Sequence, residues 1–204
     1  MMTMASRALI GAGVVAVVAV CFAWAQQPQS VRVRGTIEKV DGNLLVVKSR
    51  DDTDLHITLT NNVQVIGVVK ASLDEIKPNS FIGSAAMPQA DGSQKALEVH
   101  IFAESQRGTG EGHRPFTLPN STMTNGTVGE TVTGVEGRTL TVKYAGGEKK
   151  IVVSPGVPIV RYEVGDRSEL KPGAAITIPA AVKKPDGTLE AARINVGRGG
   201  LVPQ

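Results

Sequence analysis

Cysteine and aromatic residues are what this chain most lacks. One Cys and one Trp occur in 204 residues, with 2 Tyr and 4 Phe. Cys21 and Trp24 both fall near the N-terminus. Everything after Ala25 is therefore without a disulfide, a thiol nucleophile or a thiolate metal site. After Ala25 the aromatics are Phe81, Phe102, Phe116, Tyr144 and Tyr162, and they are scattered. That argues against the stacking platforms used by readers of single-stranded nucleic acid or sugars. Charge of one sign is also not in excess, with 22 Lys and Arg against 19 Asp and Glu. So even a balance exerts little pull on nucleic acid or anionic membrane.

The one long apolar run is N-terminal. "MMTMASR" carries Arg7, "ALIGAGVVAVVAV" follows, and Ala23-Trp24-Ala25 forms a small-residue A-x-A site. This order predicts a signal peptide over residues 1–25, cleaved before Gln26. Loss of Arg7 then leaves 21 basic residues against 19 acidic. Left uncleaved, the 18 uncharged residues Ala8 to Ala25 would be an anchor at the lower limit of a spanning helix, and the only membrane contact foreseen. Cys21 follows the bulky Val20, which does not suit lipoprotein processing.

From Val31 onward apolar residues alternate with period two, as in half-buried strands. Asp41-Gly42, Asn61-Asn62 and Asp91-Gly92 punctuate the runs as turn signals. One short helical candidate, "ASLDEIKP", has Ser72 as its cap, Glu75 at the capping-box position and Pro78 as its stop. The whole grammar then recurs. "VDGNLLVVK" (Val40 to Lys48) returns as "VEGRTLTVK" (Val135 to Lys143), "DEIKPNSFI" as "SELKPGAAI", and "DGSQKALEVHI" as "DGTLEAARINV", always at an offset of 94 or 95 residues. This is an internal duplication. A sheet as small as each copy leaves exposed edges, which closure into a barrel removes. The predicted fold is all-β: two tandem small β-barrels, OB-like or Sm-like, in residues 26–103 and 126–199. Residues 104–125, rich in Gly, Pro, Ser and Thr, form the linker between them.

The scheme G-x-I/V-x-x-V-D/E-G-x-x-L-x-V-K, then L-K-P-G-x-x-I, then D-G-T-L-x-A-x-x-I-x-V, resembles an exported bacterial domain family of unknown function. It covers residues 31–103 and 126–197. The resemblance implies small OB-like β-barrels behind a signal peptide and no known catalytic residues. The linker is also similar to that of alphaproteobacterial exported proteins, some of which are labelled metal ABC transporter permeases. A permease needs several spanning helices, whereas this chain has at most one candidate. The first copy departs from the scheme at Asn79, where the second has Gly173.

Three patterns could carry chemistry. Asp52, Asp54 and His56 alternate onto one strand face and could bind a divalent cation, although the matching stretch "YAGGEKK" is basic. "GTGEGH" (Gly108 to His113) has the glycines of a phosphate loop but leads into Arg114-Pro115 rather than a helix. The same linker groups Glu111, His113, Arg114 and Phe116, the candidates for contacting a ligand or partner. Residues 114–119, stiffened by Pro115 and Pro119, are expected to lie in a groove between the barrels. A nucleophile elbow is missing, and His56 and His100 lie within strand-like runs, where a histidine is usually structural. No cofactor motif occurs. The expectation is a non-enzymatic binding or scaffold protein of the periplasm or envelope, contacting an envelope protein and no nucleic acid. Two alternatives stay open: a periplasmic metal-handling accessory, and a hydrolase whose site forms only in three dimensions.

Overall fold

The computed structural model describes residues 29–134 and 137–203. The signal segment predicted for residues 1–25 lies outside them. The chain is all-β, as expected. Its strands are β1 (Ser30–Asp41), β2 (Leu44–Ser49), β3 (Asp54–Lys70), β4 (Phe81–Pro88), β5 (Gln94–Ile101) and β6 (Gly112–Pro115), followed by β7 (Thr122–Gly134), β8 (Gly137–Tyr144), β9 (Gly147–Val153), β10 (Ile159–Val164), β11 (Ala175–Lys183) and β12 (Leu189–Gly197). The helical candidate shrinks to a single 3-10 turn, Leu73–Glu75, where the Ser72 amide donates to Glu75 Oε1 at 2.9 Å. Its counterpart is Arg167–Glu169. After each turn comes a left-handed residue, Asn79 (φ 70) or Gly173 (φ 86), a conformation that both side-chain types tolerate.

The strands pair differently from the expectation of one barrel per repeat. β1 pairs with β2 and β11, β2 with β3, β3 with β12, and β12 with β11, which closes a five-stranded barrel. β4 pairs with β5 and β7, β7 with β8, and β8 with β9. β9 returns to β5 through Gln94–Ile151 and Lys95–Val152, completing a second ring of five. Each ring thus combines three strands of one copy with two of the other. The cores mix in the same way. Ile37, Leu45 and Ile57 pack with Ile176, Ile178 and Ile194, while Ile82 and Val99 pack with Leu140, Val142 and Ile151.

The exchange follows from β3. Asn61-Asn62 does not turn the chain back; β3 runs unbroken for 17 residues. At about 3.3 Å per residue that is roughly 55 Å, long enough to leave the first barrel and deliver β4 to the second. In the second copy Ser154–Pro158 interrupts the same path, and β10 crosses in the opposite direction. β3 and β10 meet antiparallel with Val68 opposite Tyr162, positions that correspond in the two copies. Antiparallel pairing of equivalent residues is the signature of a two-fold axis, here an approximate one within a single chain. Other contacts obey it: Val65–Ile194 matches Ile159–Val99, and Ile57–Leu189 matches Ile151–Gln94.

One expected superposition fails. The match of VDGNLLVVK to VEGRTLTVK sets Gly42 against Gly137. Val47 lies opposite Ile37 and its counterpart Val142 opposite Val128, so β1 and β7 correspond 91 residues apart. The first hairpin turns after Asp41, with Gly42 at φ 57. The second ladder continues to the Gly134–Gly137 pair, so Gly137 is a strand residue. The letters V-D/E-G recur, but the β7–β8 ladder runs past the position at which the first hairpin turns.

Candidate ligand-binding cleft

Residues of both rings line one cleft, a cavity of about 480 Å³. Its walls come from β1, β4, β5, β7, β10, β11, β12 and the connection 104–121. A shared irregularity aims the key side chains. The β4–β5 register shifts between Ala85 and Ala86, and the β12–β3 register shifts between Ala191 and Arg193. Beyond each shift Val99 and Ile101, or Ile194 and Val196, remain in the cores. The alternate residues Glu98 and His100, or Arg193 and Asn195, then project from the outer faces into the cleft. Corresponding positions of the two copies thereby face one space. Duplication has made one of them acidic where the other is basic.

β1 contributes Arg32 and Arg34, and β7 contributes Met123 and Asn125 at the corresponding places. Arg32, Arg34 and Arg193 form no ion pair with any described residue. Arg34 Nε and Asn125 Oδ1 are buried without a hydrogen-bond partner, although Asn125 Nδ2 donates to the Thr109 carbonyl at 3.0 Å. Burial lowers the pKa of all three guanidiniums. Burial raises that of the Glu98 carboxyl, and the charges of Arg34 and Arg32 counter it.

The floor of the cleft is aromatic. His100, 6% exposed, stacks on Tyr162 with centroids 4.9 Å apart and meets the Phe102 edge at 4.9 Å. Burial, followed by the charges of Arg193, Arg32 and Arg114, pushes its pKa down to about 3, so the ring is neutral. Burial pushes the Tyr162 hydroxyl up to about 12. Gly83 makes the arrangement possible, because a Cβ there would lie 2.0 Å from His100 Nε2 and 2.6 Å from Asn125 Oδ1.

The sequence-predicted candidates separate. Arg114 and Phe116 line the cleft with Thr117 and Leu118, and the Arg32 guanidinium sits 4.9 Å above the Phe116 ring centre. Segment 104–125 is not wholly irregular, since Gly112–Pro115 pairs with β7 and β7 itself starts at Thr122. His113 instead serves that pairing, and Glu111 the turn between β8 and β9. His113 Nδ1 lies 2.8 Å from Thr124 Oγ1, and Glu111 Oε1 accepts from the Ala145 amide at 2.8 Å. Asp52 and Asp54 lie 3.6 and 2.9 Å from Lys48 Nζ, and His56 is exposed on β3. Among the described residues no three His, Cys, Asp or Glu form a metal-holding group. Sequence reading missed Arg32, Arg34, Glu98, Tyr162 and Arg193. Its one available signal was the mismatch of Glu98 with Arg193 and of His100 with Asn195 between otherwise matched repeats.

Comparison with known proteins finds no matching protein-family model, curated protein or solved structure. The functional reading rests on the cleft itself.

Proposed function

We propose that the protein is an exported, non-enzymatic binding protein of the periplasm or cell envelope, and that its ligand occupies the cleft between the barrels. The observation that carries this reading is the pair of buried, unpartnered polar atoms, Arg34 Nε and Asn125 Oδ1, in the walls of one cavity. Leaving a buried polar group unpaired costs about 1–3 kcal/mol, a cost that a ligand supplying the partner relieves. The cavity volume falls in the small-molecule range, and its mixture of apolar surface with a few convergent polar groups is what such sites use. Export follows from the N-terminal charged, apolar and A-x-A order. Nothing specific favours a hydrolase: among the described residues no hydroxyl hydrogen-bonds the His100 ring or the Glu98 carboxylate.

Mass spectrometry of the untagged chain from periplasmic extract tests this. The denatured mass should correspond to a chain beginning at Gln26. The native mass should exceed it by a non-covalent adduct that is lost in Arg34→Met. A chain retaining Met1 in the cytoplasmic fraction would overturn export, and an adduct unaffected by Arg34→Met would overturn the assignment of the cleft.

A further inference from the structure

We propose that the cleft holds a small organic carboxylate, with its head group between Arg34 and Arg193 and its apolar or planar body against Phe116, Leu118 and the His100–Tyr162 stack. The inference rests on the reading of the cleft as a ligand site and adds the chemical class. Arg32, Arg34 and Arg193 line the cavity with Glu98, the one acidic lining residue among the described residues, so the wall carries surplus positive charge. Arginine presents a planar fork that matches a carboxylate bidentately, and here that fork is not engaged by protein carboxylates. Among the described residues Arg193 Nε reaches only Asn195 Oδ1, at 3.3 Å.

The remaining wall selects among anions. Glu98 and the acceptor Asn125 Oδ1 stand in the same cavity and penalise a compact dianion. Among the described residues no lysine lines it, and no helix start supplies amide donors as phosphate sites use. Asn125 Oδ1 instead asks for a donor, such as a hydroxyl or amide N–H on the ligand body. Apolar surface is ample: Leu118 is 56% exposed and Leu97 39%, both at the cleft, beside Met123, Pro158 and Pro179. Arg32 over Phe116 and Arg193 near Tyr162 set guanidinium planes beside aromatic rings, a stack that a flat ligand can extend.

Amide chemical-shift mapping of the protein from Gln26 onward, with three matched probes, tests the class. Cinnamate, cinnamyl alcohol and phenyl phosphate are each titrated to millimolar concentration. Cinnamate should shift amides of β1, β5, β10 and residues 114–118, and bind about tenfold or more weakly in Arg34→Met and in Arg193→Met, the loss expected for a charge-assisted hydrogen bond. Both variants should keep the amide spectrum of the folded barrels. If one does not, Arg34→Lys, which retains charge without the fork, should still weaken cinnamate. Cinnamyl alcohol binding in the cleft as well as cinnamate does would overturn the anion assignment while leaving the cleft a ligand site. Phenyl phosphate binding more tightly than cinnamate would replace carboxylate by phosphate. No shift in the cleft with any probe would defeat this inference and the binding-site reading together.

Discussion

Gly83 and His100 show how one missing side chain shapes the cleft. An alanine at position 83 would place its Cβ 2.0 Å from the His100 ring, which is buried and stacked and cannot swing away. Gly83→Ala should therefore destabilise by about 1–3 kcal/mol, the usual cost of overpacking. Urea unfolding should also show a less than additive loss when it is combined with His100→Ala. His100 itself should make stability depend on pH. Its folded pKa, about 3, lies below the ordinary 6.5, so the unfolded chain binds more protons between these values. Stability is then fully present above about 6.5 and is lost as the pH falls towards 3. Between about pH 8 and about pH 5 the loss from this group should be roughly 2 kcal/mol. His100→Asn, which installs the residue found at the corresponding Asn195, should remove that part of the urea-midpoint shift. An unchanged shift would mean that His100 is accessible to protons.

At the scale of elements, β10 carries both sides of the molecule. Tyr162 faces the cleft, while its neighbours Arg161 and Glu163 face the opposite side, as period two requires. There Arg198, just beyond β12, reaches Glu163 at 2.5 Å and Glu169 at 2.8 Å, and its backbone amide donates to the Val68 carbonyl. Gly67 admits the guanidinium, since a Cβ there would lie 2.2 Å from Arg198 Cζ. Arg198 thus fastens the end of β12 across the β3–β10 seam. Because these groups are partly solvated, Arg198→Ala should cost about 1 kcal/mol. The difference in thermal midpoint should shrink in molar salt, where exposed charges are screened. A salt-independent loss would point to packing of the aliphatic stem instead.

At the scale of the whole molecule, neither copy holds a complete barrel. Residues 29–103 contain three strands of one ring and two of the other, and residues 122–203 hold the complement. Either fragment alone should lack a cooperative monomeric unfolding transition. The two mixed should regain one, because every apolar face finds its partner in the other fragment. Circular dichroism with sedimentation velocity checks this, and a monomeric cooperative transition in residues 29–103 alone would contradict the exchanged pairing. A cut between Gly108 and Gly110 should leave the barrels assembled, since the contacts that join them run through β3, β10 and the two cores.

The all-β class, the turn positions around Asp91-Gly92 and Asp186-Gly187, and the duplication were all legible in the sequence. They depend on local backbone preference and on a two-residue period, both written residue by residue. Which strands pair was not legible. β4 and β11 carry the same pattern, so either can lie beside β1 or β7, and duplicated sequences are interchangeable in this respect. The length of β3 and the break before β10 decide it, through where each chain segment is delivered in space. The cleft was hidden for a related reason. Arg32, Arg34, Glu98 and Arg193 occupy the polar side of alternating strands, which in a lone barrel would face water. Only the apposition of two barrels across an approximate two-fold axis desolvates those outer faces and turns them into the walls of one cavity.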